Sequence, residues 1–209
     1  MKAGYLTLAG RGESEYIDKK SRFLSRARAI RDEEDAKAFI AEIKKQYADA
    51  THNVYAYVLR GDILRWSDDG EPGGTSGQPT LAVLRGAELE NVCCVTTRYF
   101  GGILLGSGGL VRAYSAAARL AVQDAGLLRM VPWREGAIRC GYAQYEKLCR
   151  VLTDRGARVE DSSFGAEVEI VFTAPEGIAE GLERLVRDAT AATAEFCLAG
   201  EVLRGVKVE

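Results

Sequence analysis

The chain has 209 residues with 28 basic and 30 acidic side chains and a net charge of −2. That is room for one large domain or two small ones, and it is not the charge profile of a generally basic nucleic-acid binder. A 47% hydrophobic and 28% charged composition is ordinary for a globular protein, and no apolar run approaches the ~20 residues that span a bilayer. Met1 to Ser14 lacks the apolar core of a signal peptide, so a cytoplasmic protein without membrane contact is expected.

In chain order, Ser21 to Ile30 reads as a strand. Asp32 is placed to cap a following helix, with acidic Glu33, Glu34 and Asp35 in its first turn and Ala36, Phe39, Ile40, Ile43 and Tyr47 at helical spacing. Asn53 to Arg60 reads as a second strand, and Gly61 to Gly77 as a long polar segment. Pro79 suits the first turn of a short helix reaching about Leu84. Asn91 to Arg98 is an apolar strand whose Cys93 and Cys94 read as small core residues. A glycine-rich loop from Gly101 to Gly109 then enters the clearest helix, with Leu110, Val111, Tyr114, Ala117, Ala118, Ala121, Val122 and Ala125 on its apolar face and Gly126 as a left-handed cap.

Pro132 marks a junction between residues 1–130 and 131–209, which read as two domains. Beyond it the order is strand (Gly136 to Tyr142), helix (Tyr145 to Leu152, closed by Gly156), hairpin (Arg158 to Phe164 and Glu167 to Thr173), helix from Pro175, and strand (Glu195 to Leu203). This βαββαβ order is the ferredoxin-like pattern. Charges nearly balance up to Leu128, whereas the remainder is acidic. The five cysteines include no C-x-x-C pair and there is a single histidine, so neither a zinc site nor another cofactor is expected.

The segment from Trp66 to Tyr114 holds the chemistry-bearing residues. In Trp66-Ser67-Asp68-Asp69-Gly70-Glu71-Pro72-Gly73-Gly74-Thr75, three carboxylates stand within four residues. Asp, Gly and Pro favour a structured turn. Oxygen ligation of a divalent cation by Asp68, Asp69 and Glu71 is an alternative, although the spacing is not that of an EF-hand. In the loop after Arg98-Tyr99-Phe100, glycines 101, 102, 106, 108 and 109 surround Ser107 at a helix start. Free N–H groups and the helix dipole there favour an anion, with Arg98 and Arg112 as flanking charges. The bland alternative is a tight connection and nothing more. A P-loop Lys-Ser/Thr and a full dinucleotide fingerprint are both missing. Histidine is the side chain whose ordinary pKa lies nearest neutrality, so His52 is a candidate general base if it faces Asp68 and Glu71.

Thr51-His52-Asn53, the Ser67-Asp68-Asp69-Gly70-Glu71-Pro72 turn with Gly74-Thr75 and Gly77, and Arg98-Tyr99-Phe100-Gly101-Gly102 followed by Leu105-Gly106 and Gly109-Leu110-Val111-Arg112-Ala113-Tyr114 closely resemble the motifs of the IMPACT/YigZ family. Asp18-Lys19-Lys20-Ser21-Arg22-Phe23 fits as well. The resemblance implies an α+β chain: an N-terminal domain like the second domain of ribosomal protein S5, then a ferredoxin-like domain similar to one in elongation factor G. It implies a translation-associated regulator whose partner is RNA, the ribosome or a translation protein. His52, Asp68, Asp69, Gly70, Glu71, Pro72, Thr75, Tyr99, Phe100 and Tyr114 form the expected recognition surface. An enzyme acting on a phosphorylated small molecule at the glycine loop and a pure protein-interaction scaffold are the alternatives.

Overall fold

The computed structural model describes residues 4–208, so Met1 to Ala3 of the expected leader reading and Glu209 of the expected second domain lie outside the described residues. The fold is α+β and divides into two compact units. One is Tyr5–Arg129 with the end of the chain from Val206, and the other is centred on Met130–Gly205.

In the first unit β1 (Tyr5–Leu8) bridges in parallel to Leu89 through Leu6. The main sheet is built from β2 (Gly12–Asp18), β3 (Ser21–Ala29), β4 (His52–Leu59), β5 (Ile63–Ser67) and β6 (Val92–Tyr99), in the order β2-β3-β6-β4-β5. All four pairings are antiparallel. Helix α1 (Glu33–Gln46) starts as its sequence predicts: the Asp32 side chain accepts from the Asp35 N–H. Its Ala36, Phe39, Ile40 and Ile43 cover one face of the sheet, against Tyr57, Leu59, Cys93 and Val95. On the other face lie α2 (Gly77–Gly86) and α3 (Ser107–Ala125), against Ala27, Ala56, Val58, Val92 and Cys94. The central strand β6 is therefore covered on both sides, which is why its residues from Val92 to Arg98 are all buried. Cys93 and Cys94 point into opposite layers.

Several elements differ from expectation. Gly61 to Gly77 is not one polar loop, because Ile63–Ser67 forms β5 and closes a hairpin with β4 in which Leu59 pairs with Ile63. The three-residue connection between them, Arg60 to Asp62, has left-handed Gly61 (φ 82°) and Asp62 (φ 59°). The strand escaped notice because it lies at the sheet edge, where mostly exposed residues mask the apolar pattern. Gly126 has the expected positive φ of 68°, but its ψ of 166° is extended and not left-handed helical. Pro132 lies inside β7 (Leu127–Cys140), and the division between the two units falls nearby, at Arg129 and Met130.

The second unit contains β7, a single turn of 3-10 helix, α4 (Tyr145–Asp154), β8 (Arg158–Phe164), β9 (Val168–Pro175), α5 (Glu176–Thr190) and β10 (Glu195–Lys207). Its strands are ordered β10-β7-β9-β8. This is the βαββαβ succession read from the sequence. Val168, Ile170 and Phe172 alternate inward from β9 onto Leu148, Leu152, Leu182 and Val186 of the two helices. Among the described residues no helix is long and apolar enough to cross a membrane.

Candidate functional site

Asp69 (φ 46°) and Gly70 (φ 90°) are both left-handed, and the Glu71 N–H donates to the Asp68 carbonyl at 3.0 Å. The Asp-Gly dipeptide favours such a turn because both residues tolerate positive φ. The turn carries three carboxylates to three different places.

Asp68 organises backbone. Its Oδ1 accepts from the Ser76 hydroxyl (2.7 Å), the Gly77 N–H (2.8 Å) and the Ser76 N–H (3.1 Å), while Oδ2 accepts from the Gly74 N–H (2.8 Å). Burial pushes its carboxyl up, but these donors outweigh burial and hold it below the usual carboxylate range. Asp68 thus satisfies free N–H groups at the start of α2. Asp69 ties the turn to its neighbours: Oδ1 pairs with Lys44 Nζ at 2.6 Å, and Oδ2 accepts from the Asn53 N–H at 2.7 Å.

Glu71 turns inward. Both of its oxygens accept from Arg98 Nη1, at 2.7 and 2.9 Å, and Oε1 also accepts from the Tyr114 hydroxyl at 2.7 Å. All three residues are buried, with Tyr114 at 0% exposure. Burial, then the Glu71 carboxylate, pushes the Tyr114 hydroxyl far above its ordinary pKa, so it remains a donor. The Arg98 guanidinium lies over the rings of Phe23 (5.4 Å) and Phe100 (5.5 Å). Its Nε is buried without a hydrogen-bond partner.

Strand register brings in His52, which pairs directly with Arg98 across β4 and β6. His52 Nδ1 lies 2.7 Å from the Asp69 carbonyl oxygen. A carbonyl only accepts, so Nδ1 carries the proton and Nε2 keeps its lone pair in the neutral ring. Nε2 is 3.9 Å from Glu71 Oε2. His52, Glu71, Arg98 and Tyr114 are therefore one cluster, whereas Asp68 serves the turn. Among the described residues no group of three or more His, Cys, Asp or Glu is placed to hold a metal. The turn sends the carboxylates of Asp68, Asp69 and Glu71 to separate partners.

The glycine loop divides the same way. Gly101 lies against the β2–β3 turn, where an added Cβ would come within 2.1 Å of the Lys20 carbonyl carbon. Its N–H donates to the Ser21 hydroxyl. Gly109 is buried, while Gly102, Gly106, Ser107, Gly108 and Arg112 are exposed. The first turn of α3 has no side-chain cap. Five residues expected at the binding surface are in fact buried: Glu71, Thr75, Arg98, Gly109 and Tyr114. The sequence pattern carried a signal for two of them. Val92, Cys94, Thr96 and Arg98 alternate toward one layer, and Tyr114 lies on the apolar stripe of α3. What no local pattern could supply was their common partner, Glu71. At the surface remain Gly70, Pro72 and Phe100, with Tyr99 partly covered and its hydroxyl donating to Asp49. They are joined by Ile103 and Leu104, the latter 82% exposed.

Residues 19–122 match the model of the Impact N-terminal domain, and residues 138–193 match a domain of unknown function, DUF1949. The chain is 44% identical over 167 residues to the IMPACT family member YvyE of Bacillus subtilis, spanning 79% of this chain and 77% of YvyE. It belongs to the IMPACT family. YigZ of Escherichia coli, another member, is 35% identical over 161 residues, covering 75% of this chain and 79% of YigZ. Protein IMPACT of Danio rerio aligns over 126 residues at 30% identity, 57% of this chain and 39% of its own length. A crystal structure of a hypothetical protein superposes with a TM-score of 0.62 at 29% identity, covering 96% of this chain and 99% of the other. The first domain of this IMPACT-family chain thus contains the whole cluster around Glu71.

Proposed function

We propose that this IMPACT-family chain is a translation-associated binding protein whose partner is RNA, the ribosome or a translation protein, engaged through the loop from Phe100 to Arg112. One observation carries the reading. The acidic side chains of the turn are spent on internal contacts, whereas the loop they support exposes Phe100, Ile103, Leu104, Val111 and Arg112. Aromatic and apolar side chains beside an arginine suit base stacking or a protein contact. The uncapped first turn of α3, with Ser107 and Gly108, suits a phosphate-like anion. Family membership supports a link to translation, through the role that the resemblance to the eukaryotic relatives implies.

The test is co-sedimentation of the full chain with ribosomes, alongside binding to ribosomal RNA, at low salt. Association is expected, with Phe100→Ala plus Arg112→Ala weakening it at least tenfold. Association unaffected by that pair would reject the loop, and no association with ribosomes, RNA or translation proteins would reject the function. A second reading, an enzyme acting on a phosphorylated small molecule, is favoured by the free Nε2 of His52 beside Glu71. It requires phosphate release or transfer that His52→Gln abolishes.

A further inference from the structure

A cleft of about 700 Å³ runs between α2 and α3. Its wall from α2 comprises Ala82, Val83 and Gly86, and Val122 and Leu127 stand opposite. Such a volume and apolar lining suit a small organic ligand. No carboxylate lines it, and its one charged side chain is Arg119, on α3. Among the described residues Arg119 has neither an ion-pair nor a hydrogen-bond partner, although most arginines of this chain are paired. Ser115 and Gln123 are one helical turn to either side of Arg119, so polar groups concentrate on a single wall. An apolar trough with one unpaired guanidinium at its edge is complementary to a molecule with a hydrocarbon body and one anionic head.

We propose that the α2–α3 cleft is a binding site for a small amphipathic carboxylate, with the hydrocarbon part on Val83, Val122 and Leu127 and the carboxylate on Arg119. The site is separate from the Phe100–Arg112 loop and does not depend on the role given to that loop. It would let a lipid-like metabolite load the first domain while the loop stays free.

The full chain serves for the test, with octanoate as the probe below its micellar range and octanol as its uncharged counterpart. Amide shifts in two-dimensional NMR report where each binds. Saturable octanoate binding is expected, with shifts confined to α2, α3 and Leu127. Arg119→Ala should weaken octanoate about tenfold and leave octanol unchanged, the signature of a lost charge-assisted contact. Ala82→Trp, at an exposed position on the cleft wall, should abolish both. Gly86→Leu provides a second blocked variant, since a Cβ there meets nothing within 4 Å. Binding that survives both blocked variants, octanol competing as well as octanoate, or no saturable binding would each overturn the proposal. So would concentration-dependent dimerisation that Ala82→Trp removes, because a second copy would then be the occupant.

Discussion

At the scale of single residues, Glu71 is the side chain on which the site depends. It joins β6 through Arg98 and α3 through Tyr114, and it contacts β4 through His52. A buried ion pair adds little over an apolar pair of similar volume, but removing one partner strands the other. Glu71→Leu is therefore expected to destabilise the first unit by about 3–5 kcal/mol, because Arg98 loses the acceptor for its Nη1. Adding Arg98→Met should recover a large part of that loss. Urea unfolding of the two single variants and the double variant measures the coupling, and additive losses would show that the pair is not energetically linked. The double variant should still have an impaired Phe100–Arg112 loop, since Phe100 would no longer rest on a guanidinium.

At the scale of elements, close backbone approach decides which glycines matter. On β2, an added Cβ at Gly12 would stand 2.0 Å from the Ala121 carbonyl oxygen and 2.5 Å from the Ala125 nitrogen, so strand and helix touch there backbone to backbone. Gly12→Ala should cost at least the ~1–3 kcal/mol of an overpacked core. Gly181 is the contrast: it is exposed in the middle of α5 with nothing within 4 Å of an added Cβ. Gly181→Ala should stabilise by roughly 0.5–1 kcal/mol, the helix-propensity difference. Thermal melts of the two variants moving in opposite directions would confirm the assignment, and a stabilised Gly12→Ala would refute it. The elements that sequence alone revealed are those with a buried face: β3, α1, β4, α2, β6, α3, α4, the β8–β9 hairpin, α5 and β10, with the second half of β7. β5 stayed hidden because an edge strand needs no apolar alternation, and β2 because its inward positions, Gly12, Ser14, Tyr16 and Asp18, are not an apolar set. The turn at Asp69-Gly70 was legible from composition. The convergence of Glu71, Arg98 and Tyr114 was not, because sequence separations of 27 and 43 residues are closed by sheet register and helix packing alone.

At the scale of the whole molecule, the net charge of −2 sets a limit on the proposed RNA contact. Without a broad basic surface, affinity for RNA has to come from few phosphate contacts, and the logarithm of affinity should fall shallowly with the logarithm of salt. Removal of one phosphate contact by Arg112→Ala should reduce that slope by about 1. An unchanged slope would assign Arg112 to a protein partner.

The paired cysteines of β6 add a built-in clock. Cys93 faces the α1 layer and Cys94 the α2–α3 layer, and both are 0% exposed. Burial raises both thiols, Cys94 to about 12, so neither reacts while its layer is shut. Adjacent in sequence, they share one strand and one chemistry and differ only in which helices must lift away. The relative speed at which an alkylating reagent captures each one therefore times the detachment of the two helical layers separately, without any label having to be introduced.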